Sequence, residues 1–464
     1  MNQYDLAIIG AGPAGMAAAI MAVAHGAKTC IIDEQPAPGG QIYRALQQCD
    51  KQRGEILGND YLHGRSLIEN LTTLDADKLF GASVWRIDTS GEITYSREGN
   101  AQQITAKHII IASGALERAC PLPGWTLPGV MTVGAAQILM KSSGLFTVNA
   151  VLAGSGPLLY TVAAQLLNAG CPPRAIIDTQ QLKNYFSAAT HPNAAFSNVA
   201  TLNKGIRYLR QIKKAGVPFY SGATQLHIKG DPEVEVISFQ CRGKSHHIET
   251  SNVLLHQGVV PNTQLTRSLR LQHQWNNQQR CFHPTTDPWG IASSENISIA
   301  GDGRSIGGAI NAEAEGSLVA LGALEKLNLL TVAHRNKQAK SYKKTLKKEA
   351  GLRRFLDALY PVPTELIDPA DSTIVCRCEE VTAGDIRSLV PAGCTGPNQT
   401  KAFSRCGMGP CQGRFCGLIV TEILAAANQL TPDQVGAYRI RSPIKPVTLA
   451  ELASLATTDT ADSP

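Results

Sequence analysis

Cys376-Arg377-Cys378 and Cys411-Gln412-Gly413-Arg414-Phe415-Cys416 set a C-x-C and a C-x4-C pair 32 residues apart. Four thiolates at such spacing hold a metal. Tetrahedral zinc and a [2Fe–2S] cluster both take that ligand set, and spacing alone does not separate them. Of the 12 cysteines, Cys394 and Cys406 share this segment. Cys394 reads as a buried thiol, and Cys406 competes with Cys411 for a ligand place. Cys30, Cys49, Cys120, Cys171, Cys241 and Cys281 are scattered singly, so none of them belongs to a pair suited to thiol–disulfide exchange. In a reducing compartment the cluster reads as metal ligation rather than cross-linking.

A second chemistry lies at the other end of the chain. Gly10-Ala11-Gly12-Pro13-Ala14-Gly15 follows an apolar strand and opens a small-residue helix. Gly10 permits the turn, Gly12 lets backbone N–H groups approach a pyrophosphate, and Gly15 lets helix and strand pack closely. Asp33, 18 residues after Gly15 and at the end of the next strand, stands where a carboxylate binds ribose hydroxyls. The pattern recurs at Gly154-Ser155-Gly156-Pro157-Leu158-Leu159, with Asp178 ending the following strand. There Leu159 replaces the third glycine, which holds the helix off the strand. Asp178 suits ribose hydroxyls and repels a 2′-phosphate. The preferred reading of this second turn is a unit without efficient NAD turnover, structural or binding another nucleotide such as ATP; NAD itself is the alternative.

The elements that must position these groups alternate as strand and helix. Strands are expected at Thr29–Asp33, Phe80–Asp88, Glu92–Ser96, His108–Ala112, Ala150–Ala153, Ala175–Asp178, Asn252–His256 and from Ile297, and a helix at Ala309–Leu324. The 464 residues are 43% hydrophobic and 17% charged, ordinary globular usage that excludes a disordered chain. A net charge of +6 does not demand an anionic polymer, and 5% aromatics argue against stacking on bases, so no nucleic-acid partner is expected. No apolar run reaches the roughly 18–20 residues of a membrane span, and the first strand begins at Tyr4 with no basic leader, so a soluble cytoplasmic protein is expected. His334–Arg354 holds nine Lys or Arg residues and reads as a solvated helical connector, with a docking surface for an acidic partner as the sharper alternative.

Gly39-Gly40-Gln41, Ala112-Ser113-Gly114 and Ile299-Ala300-Gly301-Asp302-Gly303, taken with the opening turn, resemble the two-dinucleotide-domain flavoproteins of the thioredoxin reductase and glutathione reductase superfamily. The resemblance implies an α/β, Rossmann-like fold with a small C-terminal helical cysteine-cluster domain. It also implies FAD held by the opening turn, Asp33, Glu34, Gly40, Gln41, Val84, Ala112, Ser113, Gly114, Gly301, Asp302 and Ala309. Asp302 would stand on the ribityl and phosphate side, and the helix near Gly308 would aim its N-terminus at the flavin. Implied domains are 1–118 with 250–335 for FAD, 119–249 as an inserted NAD(P)-like unit, 336–371 as a basic linker, 372–435 for the cysteines and 436–464 as a tail.

The cysteine text, from Cys376-Arg377-Cys378-Glu379 to Gly409-Pro410-Cys411-Gln412-Gly413-Arg414-Phe415-Cys416, resembles the bacterioferritin-associated-ferredoxin-like module. That implies a [2Fe–2S] cluster on Cys376, Cys378, Cys411 and Cys416. The whole order, through Arg441-Ser442-Pro443-Ile444-Lys445-Pro446-Val447, resembles the α subunits of heteromeric, dye-linked amino-acid and opine dehydrogenases. In that family an FAD-containing β subunit oxidises the amino acid, a small ferredoxin-like subunit is a further partner, and contact with a membrane comes only through the complex. The α subunit passes electrons towards a quinone or other acceptor, and no side chain is assigned as catalytic acid or base. The alternative is a self-contained NADH-dependent reductase feeding its own ferredoxin-like domain.

Overall fold

The computed structural model describes residues 2–190 and 199–459. A seven-stranded sheet carries the opening turn. Its central strands are Asn2–Ile9 and Asn100–Ile111, paired in parallel, with Thr29–Asp33 beside the first and Ile297–Ile299 beside the second. Leu6, Ile8, Ile31 and Ile109–Ile111 are fully buried, the near-continuous apolar run expected of a strand covered on both faces. Ser83–Ile87 and Glu92–Arg97 complete the sheet as an antiparallel meander, while Asp77–Phe80 pairs in parallel with Thr29–Asp33.

Two helices cover the sheet behind the turn. Pro13–Ala24 begins with proline at its first turn, where no N–H is needed, and is almost entirely small and apolar. It packs against Ala309–Lys326 so closely that a Cβ at Gly316 would lie 2.0 Å from the Ala14 carbonyl oxygen. Only glycine fits there, and this contact brings the late helix to the mouth of the early turn.

The second sheet has five strands: Phe219–Ser221, Ala175–Asp178, Val151–Ser155, Val253–Gln257 and Val130–Thr132, in that order and all parallel. Its strand at Val253–Gln257 takes the inner sheet past residue 249, where the sequence reading returned the chain to the first unit. The basic segment forms one long helix, Val332–Leu359. Arg335 and Lys343 place their cations 4.0 and 4.2 Å from the Trp289 ring, so part of its charge is anchored on the body.

The cysteine segment folds as the strand Ile374–Cys376 and the helices Ala383–Ser388, Pro397–Ser404 and Gly417–Asn428. Thr382 and Asp385 cap the first helix reciprocally. Trp125 donates its indole N–H to the Ile374 carbonyl at 2.7 Å, and Arg280 forks onto the buried Glu422. The segment is thereby tied to the loop before strand Val130–Thr132 and to the turn of the hairpin His273–Asn276/Cys281–Pro284. Among the described residues no helix is long and apolar enough to cross a membrane.

Candidate functional site

One cavity of about 1720 Å³ runs between these units. That exceeds the roughly 300–1,000 Å³ of a pocket for a single drug-sized ligand. Its walls include Gly10, Gly12, Pro13, Ala14, Asp33, Glu34, Gly40, Gln41, Val84, Ala112, Ser113, Gly114, Asp302 and Ala309. Cys376, Cys378, Cys411 and Cys416 line the same cavity. The glycine turn and the cysteine loops, more than 350 residues apart in sequence, therefore face one space.

The opening turn is shaped for close approach. Gly10 has φ +109°, and a Cβ there would meet the Ala112 carbonyl oxygen at 2.4 Å. A Cβ at Gly40 would meet Gly12 Cα at 2.8 Å. Gly15 and Gly301 do not line the cavity. A Cβ at Gly15 would lie 1.8 Å from the Gly10 carbonyl oxygen, and one at Gly301 would lie 2.7 Å from Ala14 Cβ, so both serve packing. Asp33 accepts from the Ala11 N–H at 2.6 Å and the Gln35 N–H at 2.8 Å. Burial pushes its carboxyl up, and those two donors pull it back. Asp302 accepts from the Gly307 and Gly308 N–H groups at 2.8 and 3.0 Å, pinning the loop that enters helix Ala309–Lys326. The glycine cradle and the size of the space fit a flavin dinucleotide.

The structure adds two wall elements that sequence reasoning did not assign. Lys141 is 3% exposed and donates to the Gln41 carbonyl at 3.0 Å and to Gln137 Oε1 at 2.8 Å. Burial, aided by Arg44, brings its ammonium down to about 7. Gln137 and Lys141 at i, i+4 on helix Val133–Ser143 were the available signal. Ile444–Pro446 of the tail also lines the cavity, tied down by a Lys445–Glu34 ion pair and by Ile444 N–H donating to the Trp85 carbonyl.

Among the cysteines, the sulfurs of Cys376, Cys406 and Cys416 lie within 4.8 Å of one another and all three residues are buried. Cys406 thus joins two of the expected ligands, while Cys378 and Cys411 interact with each other beside them. S–H groups of Cys406 and Cys416 pull the Cys376 thiol down to about 2, and the same bonds push Cys406 up to about 12 and Cys416 well above its usual range. Three buried sulfurs converging within 4.8 Å are a donor set suited to a metal. The Gly407 N–H points at Cys376 Sγ, 3.5 Å away, and a Cβ at Gly409 would lie 2.3 Å from Cys378 Cβ. The donor set and the glycine-cleared space fit an iron–sulfur group.

Gly154, Gly156 and Asp178 do not line the cavity. A Cβ at Gly156 would stand 3.2 Å from Nε2 of His256, a 2%-exposed ring whose Nδ1 bonds Glu117 at 2.6 Å. Asp178 is buried, accepting from the Tyr160 hydroxyl and the Gln180 N–H, each at 2.9 Å. Burial raises its carboxyl to about 6.

Residues 4–316 match the pyridine nucleotide-disulphide oxidoreductase family, and residues 370–456 match the sarcosine oxidase A3 domain. The chain is 40% identical to the A subunit of opine oxidase from Rhizobium meliloti (strain 1021), over 98% of its own length and 99% of that protein's. It is 28% identical to the HcnB subunit of hydrogen cyanide synthase from Pseudomonas protegens, over 95% of each. Among solved structures, L-proline dehydrogenase from P. horikoshii superposes with a TM-score of 0.71 at 18% identity, covering 97% of this chain and 79% of that one; this is a likeness of fold.

Proposed function

Since the chain belongs to the pyridine nucleotide-disulphide oxidoreductase family and to that of the opine oxidase A subunits, we propose that it is the electron-transferring subunit of a multi-subunit amino-acid or opine dehydrogenase. When bound, FAD would exchange two electrons and a [2Fe–2S] cluster one at a time. The observation that carries this reading is a cavity lined by both the glycine turn and the cysteine loops. Gly10 and Gly12 would present N–H groups to the pyrophosphate, and Lys141 would fix the Gln41 backbone beside them through its hydrogen bond. Ligands of the cluster would come from Cys376 and Cys416 with Cys378 and Cys411, and Cys406 stands close enough to replace one of them.

Amine oxidation is assigned to a partner flavoprotein subunit, with delivery to a quinone or another acceptor and a cytoplasmic setting. The second glycine turn is read as a unit without NAD turnover. Its support is the Tyr160–Asp178 bond, which engages the carboxylate a ribose would need, and the His256 ring against Gly156.

Co-purification from the native source tests the division of labour. The complex is expected to oxidise an opine or amino acid in a dye-linked assay, and the isolated chain to oxidise none of proline, hydroxyproline, glycine or opines. Turnover by the isolated chain would overturn the assignment, and rapid flavin bleaching by NADH alone would replace it with a self-contained reductase.

A further inference from the structure

Tyr438 is a buried polar group that neither the fold nor the cavity accounts for. Its residue is 4% exposed, and among the described residues its hydroxyl finds no oxygen or nitrogen partner, only the sulfur of Cys406 beside it. Three glycines close on the ring. A Cβ at Gly407 would lie 2.6 Å from Tyr438 Cζ and 2.9 Å from its hydroxyl oxygen, one at Gly413 would lie 2.5 Å from the ring, and one at Gly417 3.3 Å. The Lys401 ammonium sits 4.8 Å from the ring centroid.

The charged neighbours of the hydroxyl are the sulfurs of Cys416, Cys406 and Cys376, the same three that converge within 4.8 Å. A buried hydroxyl left without an acceptor destabilises the fold. The polypeptide offers this one no oxygen or nitrogen, only sulfur, and it stands where thiolates gather. Donors to the sulfurs of an iron–sulfur group stabilise its more negative, reduced form.

We propose that Tyr438 is a positioning residue whose hydroxyl donates a hydrogen bond to a sulfur of the iron–sulfur group held by the neighbouring cysteines, raising its reduction potential. The proposal rests on the [2Fe–2S] reading above. Lys401, over the same ring and within electrostatic reach of Cys416 and Cys406, adds positive charge that acts in the same direction.

A mediated anaerobic titration of the full iron-loaded chain, followed by the paramagnetic signal of the reduced cluster, tests this. Tyr438→Phe is expected to keep its iron and acid-labile sulfide and to shift the oxidised-to-reduced ratio at the wild-type midpoint about tenfold towards oxidised, which for one electron is about 59 mV. Full iron with an unmoved midpoint overturns the proposal. Should Tyr438→Phe lose its iron, 3-fluorotyrosine placed at position 438 decides, since it keeps the ring and is a stronger donor. A higher midpoint then supports the bond, and an unmoved one overturns it. A wild-type chain without iron or sulfide sinks the cluster reading first and this inference with it; iron present with an unmoved midpoint sinks this inference alone.

Discussion

The chain builds the same strand–glycine–helix unit twice; the first copy lines the cavity with Gly10, Gly12 and Asp33, whereas the second lines it with Pro157 and Leu158 but not with Gly154, Gly156 or Asp178. In both, the first glycine packs on a carbonyl of the neighbouring parallel strand: Gly10 on Ala112, Gly154 on His256. Ala112 leaves room in front of the turn, whereas the His256 ring reaches Gly156 and is held by Glu117. Asp33 spends its bonds on two backbone N–H groups of its own loops and still lines the cavity, while Asp178 turns to Tyr160 and is buried away from it. At the third glycine position, Gly15 lies against the Gly10 carbonyl, and Leu159 is fully buried. A glycine turn is therefore only half of a nucleotide site. What the adjacent strand places before it decides whether the space is open or filled.

Breaking the first turn should have the largest effect. Gly15→Ala sets a Cβ 1.8 Å from backbone, which the turn cannot absorb, and is expected to cut flavin per chain at least about tenfold; overpacking of about 1–3 kcal/mol suffices. Gly156→Ala, strained at φ +123°, is expected to lower the melting temperature and leave flavin absorbance per chain unchanged. Equal flavin loss in the two variants would erase the distinction between the turns.

Exchanging the strand residues sharpens it. Ala112→His should fill the space before the first turn and lower flavin content several-fold. His256→Ala should keep the flavin and destabilise the fold by about 1–3 kcal/mol, because half-buried Glu117 loses a partner. Denaturant melts paired with the flavin-to-protein absorbance ratio separate these outcomes.

The smallest effect concerns Asp178. Its folded pKa, about 6, lies above the roughly 3.9 of an unfolded chain. Between those values the folded form holds more protons, so the stability this group contributes falls as pH rises from about 4 to about 6 and stays low above. Asp178→Asn removes the charge and keeps an acceptor for Tyr160. It is expected to match the wild type near pH 4 and to exceed it by at most about 3 kcal/mol at pH 8. A gain independent of pH would mean that the carboxylate titrates normally.

Much of this could be read along the chain, because it was written in local spacing. The opening turn, the strand Thr29–Asp33, the second turn's flanking strands and the helix from Ala309 all lie where glycine placement and apolar runs put them. Long-range convergence was not legible. Nothing local says that Cys406 would stand with Cys376 and Cys416, or that Lys445 would reach Glu34. Leu159 marked the second turn as different from the first, but the His256 ring beside Gly156 belongs to a residue about 100 positions away on a paired strand. The run at Asn252–His256 was read as the strand that closes the inner unit, in line with the pairing of Val253–Gln257 with Val151–Ser155, and only the bound drawn at 249 falls short of it.

The central claim, that this polypeptide carries a flavin and an iron–sulfur cluster along one cavity, is tested most directly by anaerobic reductive titration of the purified chain, read by visible absorbance and low-temperature paramagnetic resonance. The account predicts bleaching of a bound flavin together with the signal of a reduced [2Fe–2S] centre. A bleached flavin with no paramagnetic iron at any reducing equivalent would contradict it.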